Sequence, residues 1–228
     1  CKGIDSVCHL AYVNGTKHFY SQPDIVLDIA AKGIVNVIDA CIHHEVAELF
    51  FASSSEVYHN ASKIPTSEDV PLVVPDISNP RYSYSVGKIL GESMVINFGK
   101  KYFDRAIIFR PHNVYGPDMG CDHVIPELIL KVKESSEEEG NLIQLPIIGT
   151  GRETRSFVFI DDFASGFLKV FMRGEHLNVY NIGTIEETSI QELATKIGKY
   201  FHRKIVLVPG TEVKGGPIRR CPDISKLV

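Results

Sequence analysis

No apolar run in this chain approaches the roughly 18 residues needed to span a bilayer, and no secretory signal pattern opens it. Basic residues are not in excess. The 24 Lys and Arg against 28 Asp and Glu leave a formal charge of -4, which gives nucleic acid no footing as a partner. Metal-ligand spacing is also lacking: Cys1, Cys8, Cys41, Cys121 and Cys221 are scattered, and an odd count argues against a complete disulfide framework. Asp161 and Asp162 read as a helix cap rather than a metal site, because no other ligands have matching spacing. Asn14-Gly-Thr16 and Asn60-Ala-Ser62 match the glycosylation acceptor pattern, and without a signal peptide both read as chance. A reduced, cytoplasmic setting is the expectation.

What is present suits a globular α/β protein. At 228 residues, 44% hydrophobic and 23% charged, the chain is long enough for one large domain or one domain with a smaller lobe. Short apolar strands are expected at Ser6–Leu10, Leu49–Ala52, Ala106–Phe109, Ile143–Ile148, Val179–Ile182 and Ile205–Val208. Between the first two, Pro23 starts a helix of about two dozen residues. Its polar positions, Asp24, Asp28, Lys32, Asn36, Asp39 and His43, form one narrow stripe, so this helix needs cover on more than the sheet side. A second helix is expected from Ser83 to about Tyr102, with Val86, Ile89 or Leu90, Met94 and Phe98 as core or subunit contact. Val124–Val132 reads as helical, and Ser189–Phe201 as an amphipathic helix capped by Thr188 or Ser189. The stretch Asn60–Pro80 reads as a long loop over the site, and the charged run Lys133–Gly140 as a solvated loop without function.

The chemistry concentrates in FFASSSEVY, ending at Tyr58, and in Tyr84-Ser-Val-Gly-Lys88. The first is a buried strand opening into polar residues beyond its carboxyl end, where ligands sit in open α/β sheets. The second places a phenol and an ammonium four residues apart, on one helical face. A lysine held near a tyrosine favours the phenolate, so Tyr84 is a candidate acid–base group near neutrality. A serine hydroxyl beside that phenol could bond the substrate oxygen whose proton moves.

VCHLA, SSSEVY, YSYSVGK, RPHNVYGP, GTGRETRSFVFIDD and VYNIG occur in one order across almost the whole chain. On these segments the chain resembles the extended short-chain dehydrogenase/reductase family, specifically its NAD-dependent nucleotide-sugar epimerases and dehydratases. The resemblance implies a Rossmann-like, doubly wound parallel sheet in residues 1–120 and a smaller mixed α/β substrate lobe in 121–228, with some segments returning to the main sheet. It implies catalysis by Ser54, Tyr84 and Lys88, with transient oxidation of the sugar, commonly at C4. For Glu56 two readings stand: an acid or base, as in the family's dehydratases and decarboxylases, or an exposed turn residue. Leu10, Ala11, Tyr84, Lys88 and Pro111 would contact the cofactor, NAD with NADP left open. Ser54, Asn113, Arg155 and Arg220 would contact a nucleotide-diphosphate sugar, with Arg219 as fallback for Arg220; Asn113 also reads as a plain turn residue. A homodimer through helices 23–44 and 83–102 would supply the missing cover. The chain departs from the family at Ala30, where an asparagine is frequent, and at His59, where glycine is common.

The family also carries a Gly-x-x-Gly-x-x-Gly turn for the dinucleotide pyrophosphate. Here the close glycine pairs are Gly149/Gly151 and Gly215/Gly216, neither following the first strand nor opening a helix. The expectation is therefore a fragment starting at the fourth strand of the sheet, inactive alone. A rival of another class is a truncated non-catalytic protein that binds a nucleotide sugar or a partner through an exposed sheet edge.

Overall fold

The computed structural model describes residues 1–13, 15–135, 141–210 and 215–228. Its main sheet is built from β1 (Ser6–His9), β2 (Glu48–Ala52), β3 (Arg105–Pro111) and, after a further stretch, Val179–Ile182. All neighbours in this sheet run parallel. Leu49, Phe50, Phe51, Ile107, Ile108 and Phe109 are buried on both faces, which is why these strands read as unbroken apolar runs. Each fully buried Leu, Ile or Phe contributes roughly 1.5–3 kcal/mol.

The crossovers are helical. α1 (Thr16–Ser21) and α2 (Pro23–His43) follow β1, and α3 (Ser83–Tyr102) joins β2 to β3. The side chains of Ile34, Ile38 and Cys41 from α2 and Val95 from α3 cover Leu49, Phe51, Ala106 and Ile108 on one face. Beyond β4 (Val114–Tyr115), α4 (Val124–Ser135), β5 (Leu142–Ile147), β6 (Thr154–Arg155) and β7 (Val158–Phe159) comes α5 (Ile160–Arg173). Phe163, Phe167, Val170 and Phe171 of α5 cover Phe50, Ile107 and Phe109 on the other face. The strand Val179–Ile182 is β8. A parallel sheet clad on both faces is the Rossmann-like, doubly wound arrangement.

A second core forms around β5 and β10 (Lys204–Pro209), which pair in parallel. Leu128 and Val132 of α4 meet Ile143, Leu145, Ile147 and, from α6 (Ile190–Tyr200), Ala194 and Ile197. Ser189 caps α6 through a reciprocal bond with Glu192, as the sequence predicts. Two short strands, β9 (Thr188–Ser189) and β11 (Arg219–Arg220), flank β6 in a small three-stranded sheet.

Several details differ from expectation. The first strand ends at His9, leaving Leu10 in the loop and 59% exposed. Asp161 and Asp162 lie in the first turn of α5, favourably placed for the helix dipole, while Phe159 holds the cap position with no side-chain bond. On α3 the sheet-facing stripe is Tyr84, Gly87, Lys88, Gly91, Glu92, Val95 and Gly99, whereas Leu90 is exposed. Bulky apolar residues do not mark the inner face because the helix approaches too closely: a Cβ on Gly91 would lie 2.4 Å from Phe51 Cζ. Of the charged run, residues 136–140 lie outside the described residues, as does Asn14 of the first glycosylation pattern. No described helix is long and apolar enough to cross a membrane, and the described residues hold no cluster suited to a metal ion.

Candidate active site

At the carboxyl end of β2 the chain leaves the sheet as Ser53, Ser54 and a single 3-10 turn, Ser55–Tyr58. Ser54 is extended and caps this turn, its Oγ accepting from Glu56 N at 3.2 Å. The same hydroxyl lies close enough to the Tyr84 phenol to favour its ionised form. Tyr84 and Lys88 stand one turn apart on the inner face of α3, both buried. Ser54, Tyr84 and Lys88 are therefore brought together.

The electrostatics differ from the sequence expectation. Burial pushes Tyr84 up to about 12, against the opposing effect of the Ser54 hydroxyl. Burial instead pushes Lys88 down to about 7, with Glu92 opposing. The cause is geometric. Lys88 Nζ donates to Ala52 O at 2.7 Å and lies 5.7 Å from the Tyr84 ring centroid, while Tyr84 stacks on Phe19 with centroids 4.8 Å apart.

The serine run is fixed from beneath by a buried network that the sequence does not announce. Ser53 Oγ donates to Glu92 Oε1 at 2.5 Å, and Arg110 grips the same carboxylate with Nε at 2.8 Å and Nη2 at 2.6 Å. Arg110 Nη1 also donates to Tyr58 Oη at 2.7 Å. Asn181 on β8 accepts from Tyr58 Oη, and His112 Nε2 lies 3.2 Å from the same Asn181 oxygen. His59 takes φ 47, so the turn keeps a backbone suited to the family's glycine.

Glu56 points the other way, into a cleft of about 430 Å³ lined among others by Arg81, Asn113, Arg155, Phe157 and Arg220. Arg220 Nη1 donates to Glu56 Oε1 at 2.7 Å, and Arg81 Nη2 lies 3.5 Å from Oε2. Burial alone would raise the Glu56 carboxyl, but Arg220, then Arg81 and Arg155, hold it at about 2. Arg155 and Arg220 are register partners on β6 and β11. Arg220 is buried, and its Nε and Nη2 have no hydrogen-bond partner among the described residues; such donors suit a bound anion. Arg219 instead pairs with Glu187 near the surface. Asn113 has φ 36 and donates a long 3.5 Å bond to Ser156 O. Leu10, Ala11 and Pro111 lie at the carboxyl ends of β1 and β3 and do not line the cleft. Arg81 escaped the sequence reading; the signal was a lone cation in NPRYSYS just before the reactive helix.

Comparison with known proteins places these features in a lineage. A profile described as the NAD dependent epimerase/dehydratase family matches residues 1–183. The chain is 30% identical over 200 residues to a dTDP-D-glucose 4,6-dehydratase of Dictyostelium discoideum, covering 85% of this chain and 44% of that protein. It is 29% identical over 232 residues to a UDP-N-acetyl-alpha-D-glucosaminuronate decarboxylase of Bacillus cytotoxicus, covering 98% and 69%. The dTDP-glucose 4,6-dehydratase DesIV of Streptomyces venezuelae, solved with NAD bound, superposes with a TM-score of 0.85 at 21% identity, over 99% of this chain and 66% of that one. The last likeness is one of fold.

Proposed function

The chain belongs to the NAD dependent epimerase/dehydratase family, and from that premise we propose that it is the catalytic and substrate portion of an NAD-dependent nucleotide-sugar epimerase or dehydratase. The observation that carries this reading is the gathering of Ser54, Tyr84 and Lys88 beside Glu56, which opens onto a cleft lined by arginines.

In the proposed division of labour, residues 1–120 bind the cofactor and carry the reaction, and residues 121–228 mainly bind the substrate. The residues around the nicotinamide end fit a dinucleotide in part. Leu10 and Ala11 are exposed at the end of β1, next to β2, and Pro111 ends β3. NAD supplies the hydride acceptor and a positively charged ring when bound. Ser54 hydrogen-bonds the reacting sugar oxygen, Tyr84 exchanges its proton with that oxygen, and Lys88 supplies a cation behind Tyr84. Arg155 and Arg220 hold the diphosphate, to which planar guanidinium groups can donate paired hydrogen bonds. Asn113 contacts the substrate within the same cleft.

A second reading, decarboxylase or 4,6-dehydratase, draws on Glu56 beside the Ser54 turn and on the two relatives named above. With its carboxyl at about 2, Glu56 is an anion at neutral pH, suited to accept a proton rather than to donate one. A homodimer through α2 and α3 is supported by exposed Ile25, Leu27, Ile29 and Val35 on α2 and Leu90 on α3. A cytoplasmic setting is part of the same proposal.

The 228 residues contain no Gly-x-x-Gly-x-x-Gly turn, so the proposal extends to weak NAD binding and little turnover by this chain alone. The test incubates this chain, and the chain extended through any coding sequence preceding Cys1, with NAD and a panel of UDP- and dTDP-sugars. Epimers or loss of water support the first reading, and loss of carbon dioxide, or loss of water that fails in Glu56→Gln, supports the second. Nucleotide-sugar binding without turnover in either form would favour the non-catalytic rival.

A further inference from the structure

Lys88 has an unusual environment for a lysine. It is 2% exposed, and among the described residues its ammonium has one hydrogen bond, to Ala52 O. Glu92 lies one turn along α3, but both its oxygens are taken by Arg110 and one also by Ser53. The other titratable groups facing Lys88 are Tyr84 one turn back, His9 from β1 and Tyr12 from the loop after β1. From β2 it meets the Phe51 ring at 5.1 Å. A cation so placed needs stabilisation that a single carbonyl does not give.

The loop supplies it. The Tyr12 ring lies face-on to the ammonium, with Nζ 3.8 Å from the centroid, and edge-on to Tyr84 at 5.1 Å. Its hydroxyl reaches into a notch between α2 and α3, where it donates a long 3.5 Å bond to Tyr84 O. The notch exists because two small residues face each other. A Cβ on Gly87 would lie 2.0 Å from Tyr12 Oη and 2.5 Å from the Ala30 Cβ. Gly87 sits in the middle of helical backbone, where glycine costs stability relative to alanine. Space for the tyrosine is what that glycine provides.

We propose that Tyr12 is a positioning residue for Lys88, its ring holding the ammonium beside Tyr84 and its hydroxyl locking the loop into the notch made by Gly87 and Ala30. Cation–π attraction grows with desolvation, and here the ammonium is buried and the Tyr12 ring half-buried. The assignment rests on the proposed role of Lys88, but its test reads the lysine directly and needs no turnover.

Isotope-labelled lysine in the 228-residue chain, assigned with Lys88→Arg, is titrated by NMR. The native midpoint is expected near about 7. Tyr12→Phe keeps the ring and is expected to titrate as the native protein does. Tyr12→Leu is expected to lower the midpoint by roughly one pH unit, because burial is then opposed by Glu92 without the ring. A series of increasingly fluorinated phenylalanines at position 12 keeps shape while draining the ring of charge, so it guards against a leucine variant that fails to fold. A stepwise fall along that series supports the assignment. An unchanged midpoint in the most fluorinated variant overturns it, whatever the turnover assays give.

Discussion

Glu56 and Arg220 are 164 positions apart in the chain and meet at 2.7 Å. The contact ties the turn after β2, which also holds Ser54, to the short strand β11 at the far side of the cleft. It also fixes the protonation state of the carboxylate: with Arg81 at 3.5 Å behind it, Glu56 stays ionised down to about pH 2.

Glu56→Gln separates the two catalytic readings. Loss of elimination or decarboxylation with the first oxidation retained assigns Glu56 to the second chemical step, and unimpaired turnover removes it from the mechanism. Because Glu56 is 28% exposed and Arg220 only 5%, the same change is expected to cost about 1–3 kcal/mol of stability at neutral pH. Urea melts of the variant measure that cost.

Acid sensitivity follows from two buried histidines and the half-buried Glu56. Burial pushes His112 down to about 3 and His59 down to about 4. An unfolded chain takes up protons at these histidines as pH falls below about 6.5, while the folded chain refuses them. Stability is therefore expected to decline from about pH 6.5 toward 3, with Glu56 adding to the decline from 4.5 toward about 2. Denaturation midpoints measured in steps from neutral pH to about 4 should fall, and His112→Gln should flatten the slope. A flat native profile would contradict the neutral, buried imidazoles.

Glu92 and Arg110 form a bidentate pair whose side chains are 8% and 4% exposed. Glu92→Leu leaves the guanidinium buried without its carboxylate and removes the acceptor of Ser53, an expected loss of about 3–5 kcal/mol. Glu92→Leu combined with Arg110→Met should recover part of that loss, since no lone charge is left buried. Additive costs in the double variant would mean that the two groups do not act as a pair.

The strands and helices were largely legible because their apolar patterns match their burial. α3 begins at Ser83 and ends at Tyr102, and β8 runs from Val179 to Ile182, as the pattern predicts. The face of α3 was legible in part: Met94 and Phe98 pack on the core, but the glycine-lined stripe against the sheet was not foreseen. Periodicity assumes that large apolar side chains point inward, whereas here Gly87, Gly91 and Gly99 let the helix touch the sheet and Tyr12. The shared helical face of Tyr84 and Lys88 was readable from their spacing, but the surroundings of the ammonium were not: Lys88 donates to Ala52 O and lies over the Tyr12 ring. The partners of Glu56 come from positions 81 and 220 and share no local pattern with it.

The central claim is that Tyr84 exchanges the proton of the sugar hydroxyl. It is tested most directly with Tyr84→Phe, in whichever form of the protein turns over a nucleotide sugar. The account predicts a loss of about 10²–10⁴-fold in kcat, with nucleotide-sugar affinity unchanged because the arginine cleft is untouched. A variant that turns over at the native rate would contradict it.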